Sequence, residues 1–172
     1  MKRYLTEKFL FTQFSKQLDY VFVIKTHTQD DGKITFLAYL DSGSPDNIVL
    51  IGDETQKKNI SSREFQIFPG FNFNAAIASS NGFLTASSSS ILQSLVLGTK
   101  SGIVDLFNNN FYGYLIKNNA SILINDSNSL INYLRYDSLE ITSDTLEFCG
   151  LKSQSEFDLG KQLIIGIKQF YQ

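Results

Sequence analysis

A single cysteine, Cys149, and a single histidine, His27, stand in 172 residues, and tryptophan is absent. One thiol closes no intramolecular disulfide, so the stapled frameworks of small secreted domains are excluded and a reducing compartment is expected. One imidazole and one thiol also fall short of the three or four such ligands that zinc-type centres use. Cys149 ends an apolar run after Phe148, precedes Gly150 and has no activating neighbour in sequence, which suits a buried inert thiol.

Charge is equally sparse. Asp, Glu, Lys and Arg make up 19% of the chain, the net charge is −2 and the pI is near 5.3, so the positive field that dominates nucleic-acid affinity is missing. Lys2, Arg3 and Lys8, and again Lys57, Lys58 and Arg63, are interleaved with Glu7, Asp53, Glu54 and Glu64, and such mixed clusters read as solvated faces. No apolar stretch approaches the length of a membrane span. Glu7, Lys8, Gln13 and Lys16 interrupt any signal-peptide core after Met1-Lys2-Arg3-Tyr4-Leu5, so no signal peptide is expected. The location expected from this is cytoplasmic, or the virion if the protein is viral. Asn59, Asn119 and Asn125 each open an Asn-x-Ser sequon, unsurprising in a chain with 20 Ser and 13 Asn.

What is present suits a packed interior. Hydrophobic residues reach 42%, with 15 Phe and 8 Tyr, and a chain of this length folds comfortably as one domain.

Leu5, Phe9, Phe14 and Leu18 recur at near-helical spacing and predict a short helix over 3–18. Tyr20 to Ile24 and Ile34 to Leu40 are β-branched or aromatic runs flanking Gln29-Asp30-Asp31-Gly32, a hairpin signal. With Ile48 to Ile51 they predict an antiparallel meander over 20–51. Residues 53–64 read as an exposed loop, 65–68 as a short strand stopped by Pro69-Gly70, and the alternation Phe71, Phe73, Ala75, Ile77 as another strand. Ser87 to Ser90 precede Ile91, Leu92, Leu95, Val96 and Gly98, which predicts a helix over 88–97, with a buried strand over 91–97 as the alternative. From Gly102 to Gly150, short apolar runs at 103–107, 111–116, 121–124, 130–134, 139–141 and 146–148 alternate with Asn, Ser and Asp clusters; this rhythm predicts successive strands and turns. Leu163 to Ile167 forms a last strand candidate. No repeat consensus is visible, which argues against a solenoid or propeller.

The expected fold is therefore mainly β, an antiparallel sandwich or barrel-like domain over 1–172 with short helices near 3–18 and 88–97. The one candidate sub-boundary lies near 86–90.

Catalytic patterns are scarce. His27 sits beside the expected turn, and no Gly-x-Ser-x-Gly elbow supports a nucleophilic triad. The carboxylate pairs Asp30 with Asp31, Asp53 with Glu54 and Asp137 with Glu140 all adjoin turn residues, where Asp bonds nearby amides. Asp41 to Asp46 and Asn125 to Asn128 lack calcium-loop spacing, and Gly98-Thr99-Lys100-Ser101-Gly102 lacks the spacing of a phosphate loop. No cofactor, metal or catalytic residue is expected.

The sharpest surface signal is aromatic. Phe107, Phe111, Tyr112 and Tyr114 surround Asn108-Asn109-Asn110, and Phe170 and Tyr171 close the chain. Phe107, Asn109, Phe111, Tyr112, Tyr114, Phe170 and Tyr171 are thus the candidate ligand or interface surface. The alternative is ordinary packing, with Phe111 and Leu115 facing a core while Tyr112 and Tyr114 cover an opposite face.

Few edge-protecting lysines or prolines accompany the expected strands, which favours self-association. The leading functional expectation is a non-enzymatic structural subunit of a symmetric homo-oligomeric assembly, such as a phage head, tail or decoration component. The alternative is a carbohydrate- or peptide-binding β module whose loops at 53–64 and 107–111 form the site.

Overall fold

Among the described residues the strands pair in parallel, with helices between them. The computed structural model describes residues 1–26, 31–53, 56, 57, 60, 65–66 and 72–135. The chain falls into two compact units, Met1–Phe71 and Asn72–Gln172. Residues 86–90 lie inside the second of them.

The first unit begins with α1 (Lys2–Phe14), followed by β1 (Phe22–Lys25), α2 (Lys33–Leu40), β2 (Ile48–Ile51) and β3 (Phe65–Gln66). Its three strands form a parallel sheet in the order β1-β2-β3, with Phe22 opposite Ile48, Ile24 opposite Leu50 and Leu50 opposite Phe65. Residues directly opposite in a parallel pair share a face, so these side chains line one side of the sheet. Phe14 of α1 stacks on Phe22 with ring centroids 3.8 Å apart, and Phe11 meets Tyr39 of α2 edge-on at 6.1 Å. Val23 and Lys25 point the other way and remain exposed.

Asn47 joins the end of α1 to the start of β2. Its side-chain amide donates to the carbonyls of Phe14, Gln17 and Tyr20 at 2.9, 3.1 and 3.2 Å, while its own carbonyl accepts from the Phe22 N–H at 2.9 Å. Residues after β2 carry a reciprocal cap: Asp53 Oδ1 accepts from the Gln56 N–H and Gln56 Oε1 accepts from the Asp53 N–H, both at 2.9 Å. Gln56 is buried and also accepts from the Thr26 hydroxyl at 2.7 Å. Within the expected exposed loop, Gln56 is thus a buried side chain.

The second unit runs α3 (Phe73–Ser79), β4 (Phe83–Thr85), α4 (Ser90–Val96), β5 (Ser101–Val104), α5 (Gly113–Lys117), β6 (Ile122–Ile124) and α6 (Ser127–Arg135). Its sheet is again parallel with order β4-β5-β6. Strands added in chain order, each by a right-handed crossover, place the connecting helices on one side of the sheet. Accordingly Ile91 and Leu95 of α4, Leu115 of α5, Ala120 and Ile103 of β5 form one buried cluster, with Phe83, Leu92, Tyr112, Tyr114 and Ile116 packed against it. Gly102, next to Ile103, faces the opposite side, where a Cβ would lie 2.5 Å from Leu84, 2.9 Å from Ile124 and 3.0 Å from the Tyr133 ring. Tyr133 of α6 thus covers the second face. Its hydroxyl lies 3.2 Å from the Phe83 carbonyl and 3.1 Å from that of Lys100, whose ammonium sits 4.7 Å from the centre of the tyrosine ring.

Among the described residues, helices hand over to strands in the same way at three places. Gly43, Gly98 and Asn119 take φ of 87°, 68° and 55°. In each case the next residue's N–H reaches back five positions, from Ser44 to Tyr39, Thr99 to Ser94 and Ala120 to Leu115, at 3.2, 2.8 and 2.8 Å. This left-handed closure satisfies the last free carbonyls of each helix.

Several expectations are corrected by this architecture. The fold is mixed α/β with two small parallel sheets, and the mainly β antiparallel sandwich or barrel is overturned. The runs expected as strands at 34–40, 71–77, 111–116 and 130–134 hold the helices α2, α3, α5 and α6. In α2 the buried residues are Thr35, Ala38 and Tyr39, a one-sided helical set that outweighs the β propensity of its residue types. Gly32 has the positive φ that Asp-Gly suggested, but it opens a helix: Asp31 Oδ1 accepts from the Lys33 N–H at 3.0 Å. Asn72 caps α3 by accepting from the Ala75 N–H at 3.0 Å. The helices near 3–18 and 88–97 are present as α1 and α4, and strands occur at 22–25, 48–51, 65–66, 101–104 and 122–124. His27, Asp30, Asp137, Glu140, Cys149 and the runs at 139–141, 146–148 and 163–167 lie outside the described residues.

Candidate functional site

Every strand of a parallel sheet points its carboxyl end to the same edge, and the loops that leave that edge converge there. In the second unit those loops are 86–89 after β4, 105–112 after β5 and 125–126 after β6. All three are rich in Ser, Asn and Asp.

The longest loop is organised by Asp105. One carboxylate oxygen accepts from the N–H groups of Phe107 and Asn109 at 3.3 and 2.9 Å and from the Asn109 side-chain amide at 3.1 Å; the other accepts from the Asn110 N–H at 2.7 Å. Asn108 and Asn110 both take a φ of 54°, a conformation asparagine tolerates better than most residues. Partial burial pushes the Asp105 carboxyl up, and the hydrogen bonds from Asn109, Asn110 and Phe107 outweigh it, so its net pKa lies below the ordinary value. Both oxygens are occupied in holding the loop, which makes Asp105 a scaffold group and a poor proton carrier.

Neighbouring loops are tied to this one. The Asp105 N–H donates to the Ile124 carbonyl at 2.9 Å, and the Tyr112 hydroxyl donates to the Ser87 carbonyl at 3.2 Å. Within 86–90, Thr85 Oγ1 accepts from the Ser88 N–H at 3.0 Å and Ser88 Oγ accepts from the Ser90 N–H at 3.2 Å, so the serine run builds the entry to α4. After β6, Asp126 Oδ1 accepts from the Ser129 N–H at 2.7 Å, while Ser129 Oγ accepts from the Asp126 and Asn125 N–H groups at 3.1 Å. The Ser129 N–H, and after it the Ser129 hydroxyl, which lies 2.8 Å from Asp126 Oδ1 and donates to it, hold the Asp126 carboxyl below its ordinary pKa.

Four of the aromatic and amide residues singled out from sequence sit on this edge. Phe107, Asn109, Phe111 and Tyr112 belong to the 105–112 loop, and Phe111 is 63% exposed. Tyr114 lies in α5, where it packs against the buried cluster with Tyr112 at a ring separation of 6.2 Å. The alternative packing pattern is thus reversed at three positions and kept at Leu115, since Phe111 faces solvent while both tyrosines lean on the core. Phe170 and Tyr171 fall outside the described residues. Sequence reasoning missed Asp105, Ser87, Asn125, Asp126 and Ser129 as neighbours of this surface. Their signal was a polar cluster directly after each apolar run, which identifies one edge only once the strands are known to be parallel.

Among the described residues no group of three His, Cys, Asp or Glu is arranged to hold a metal ion. No helix of the described residues is long and apolar enough to cross a membrane. No family model, curated protein or solved structure matches this chain.

Proposed function

We propose that the chain is a non-enzymatic recognition module that binds a neutral, polyhydroxylated ligand of the carbohydrate class at the carboxyl edge of its second sheet. The observation that carries this reading is Phe111, 63% exposed on a loop pinned by four hydrogen bonds to Asp105, three of them from backbone N–H groups. An exposed ring on a stiff loop offers an apolar platform at little entropic cost, and the exposed Asn110 beside it carries an amide donor and acceptor. The two carboxylates on this edge, Asp105 and Asp126, disfavour a phosphate and leave a neutral ligand the better fit. Peptide binding is the competing ligand class.

The β-sandwich that suggested a virion component is replaced by two parallel α/β units, which removes the fold premise of that assignment. Self-assembly is supported by a separate observation on α2, developed below.

Glycan-array binding of the whole chain, followed by saccharide titration with the wild type and Phe111→Ala, tests the reading. Phe111 is exposed, so the variant keeps its fold; binding that drops by roughly tenfold, the equivalent of ~1.4 kcal/mol, is expected. No saccharide binding by the wild type, or binding indifferent to Phe111→Ala, overturns it.

A further inference from the structure

Helix α2 carries apolar residues on both sides. Its buried side is Thr35, Ala38 and Tyr39, whereas Ile34, Leu37 and Leu40 are 40%, 54% and 43% exposed. Positions 34, 37 and 40 recur every three residues and form one outward stripe. Lys33 and Asp41, both exposed, flank that stripe at its two ends.

The arrangement is symmetric about Leu37. Ile34 and Leu40 stand three residues to either side, and Lys33 and Asp41 stand four to either side with opposite charges. A two-fold axis passing beside Leu37 would set Leu37 on its own copy, Ile34 on Leu40 and Lys33 on Asp41, each contact made twice. This is the condition for an isologous interface, in which one patch complements itself. Antiparallel pairing also opposes the two helix dipoles. Parallel pairing would bring Lys33 to Lys33 and Asp41 to Asp41, so the charges select one orientation.

We infer that α2 is a self-docking surface, and that its occupant is the antiparallel α2 of a second copy of this chain. Lys33 already lies 3.5 Å from Asp31, with 60% of its side chain exposed, and Asp41 accepts a hydrogen bond from the Tyr4 hydroxyl. Both groups stay in water in the monomer and need little desolvation to meet across a rim. The contact is a single helix pair, well below the roughly 800 Å² per partner of a standard interface, so the dimer is weak and reversible.

Sedimentation equilibrium over a concentration series tests this, with far-UV circular dichroism confirming that each variant is folded. The wild type is expected to show a concentration-dependent monomer–dimer equilibrium, and Leu37→Glu, which puts like charges face to face on the axis, is expected to remove it. Lys33→Asp alone and Asp41→Lys alone are each expected to weaken self-association at least tenfold. An equimolar mixture of those two single variants is expected to associate again, because every pairing across a mixed dimer is then between opposite charges. A wild type that stays monomeric throughout, a dimer unaffected by Leu37→Glu, or single variants that fail to associate when mixed overturns the inference. A foreign amphipathic helix as the true occupant would produce the first of these outcomes.

Discussion

Replacing Tyr133 by Phe should destabilise the protein at neutral pH and stabilise it in alkali, with the two effects crossing near pH 11. Tyr133 is 2% exposed, and its hydroxyl sits between the carbonyls of Phe83 and Lys100. Losing that hydrogen bond costs about 1–1.5 kcal/mol, and the ring that contacts Gly102 and the Lys100 ammonium is retained. The alkaline limb has the opposite sign. Burial raises the phenol well above its ordinary value of 10.0. Below pH 10 both folded and unfolded chains keep the proton, so the full stability is present. Above it the unfolded chain releases the proton while the folded chain holds it, and wild-type stability falls by about 1.4 kcal/mol per pH unit through this one group. An advantage of about 1.5 kcal/mol is thus erased roughly one unit above pH 10. Urea unfolding followed by far-UV circular dichroism, for wild type and variant side by side between about pH 8 and pH 11.5, measures the gap directly, because all other titrating groups cancel in the difference. A gap that is constant across this range would refute the reasoning, since it would mean that Tyr133 ionises in the folded protein as freely as in the unfolded one.

Gly98→Ala, at a φ of 68°, should cost about 1–2 kcal/mol in chemical unfolding, whereas Asn119→Gly, at 55°, should be neutral or slightly stabilising. Equal costs at both sites would argue against a common left-handed closure. Asn47→Ala should lower stability by about 1–3 kcal/mol, and Asn47→Asp by more, because a carboxylate turned toward the carbonyls of Phe14, Gln17 and Tyr20 has nothing to donate. Asp105, whose pKa is lowered by its loop, contributes order that is full above 3.8 and lost as pH falls through the lower folded value. The Asn109 and Asn110 amide resonances should therefore shift together at acid pH in the wild type and stay flat in Asp105→Asn, with a stability effect below about 1 kcal/mol at so exposed a group. Independent titration of those two amides would contradict a shared carboxylate.

Strands were legible where apolar runs are short and bounded by turn residues, as at Phe22–Lys25, Ile48–Ile51 and Ile122–Ile124. The crossover helices were not, because they are short and built from β-prone residues. Lys33–Leu40 reads Lys-Ile-Thr-Phe-Leu-Ala-Tyr-Leu, and Gly113–Lys117 spans barely more than one turn. Over such windows apolar residues on both sides of a helix resemble a buried strand, and the outward stripe of α2 is what blurred its period. Strand direction was beyond reach of local pattern. A polar cluster after an apolar run looks alike in a hairpin and in a strand-to-helix turn, so the 105–112 loop was recognisable as a surface while its neighbours at 86–89 and 125–126 were not.

The three closures at Gly43, Gly98 and Asn119 have a consequence for how this sequence can change. Only residues 97–100 separate α4 from β5, and only 118–121 separate α5 from β6, with backbone hydrogen bonds across both joints. One inserted residue there has no slack to absorb it and would turn every side chain of the following strand to the opposite face. The 105–112 connection carries no such constraint on strand register, because a helix intervenes before the next strand. Among the described residues of the second unit, length variation is thus confined to one edge of the sheet, and a family descended from this chain would diversify at that carboxyl edge while the amino edge stayed fixed in length.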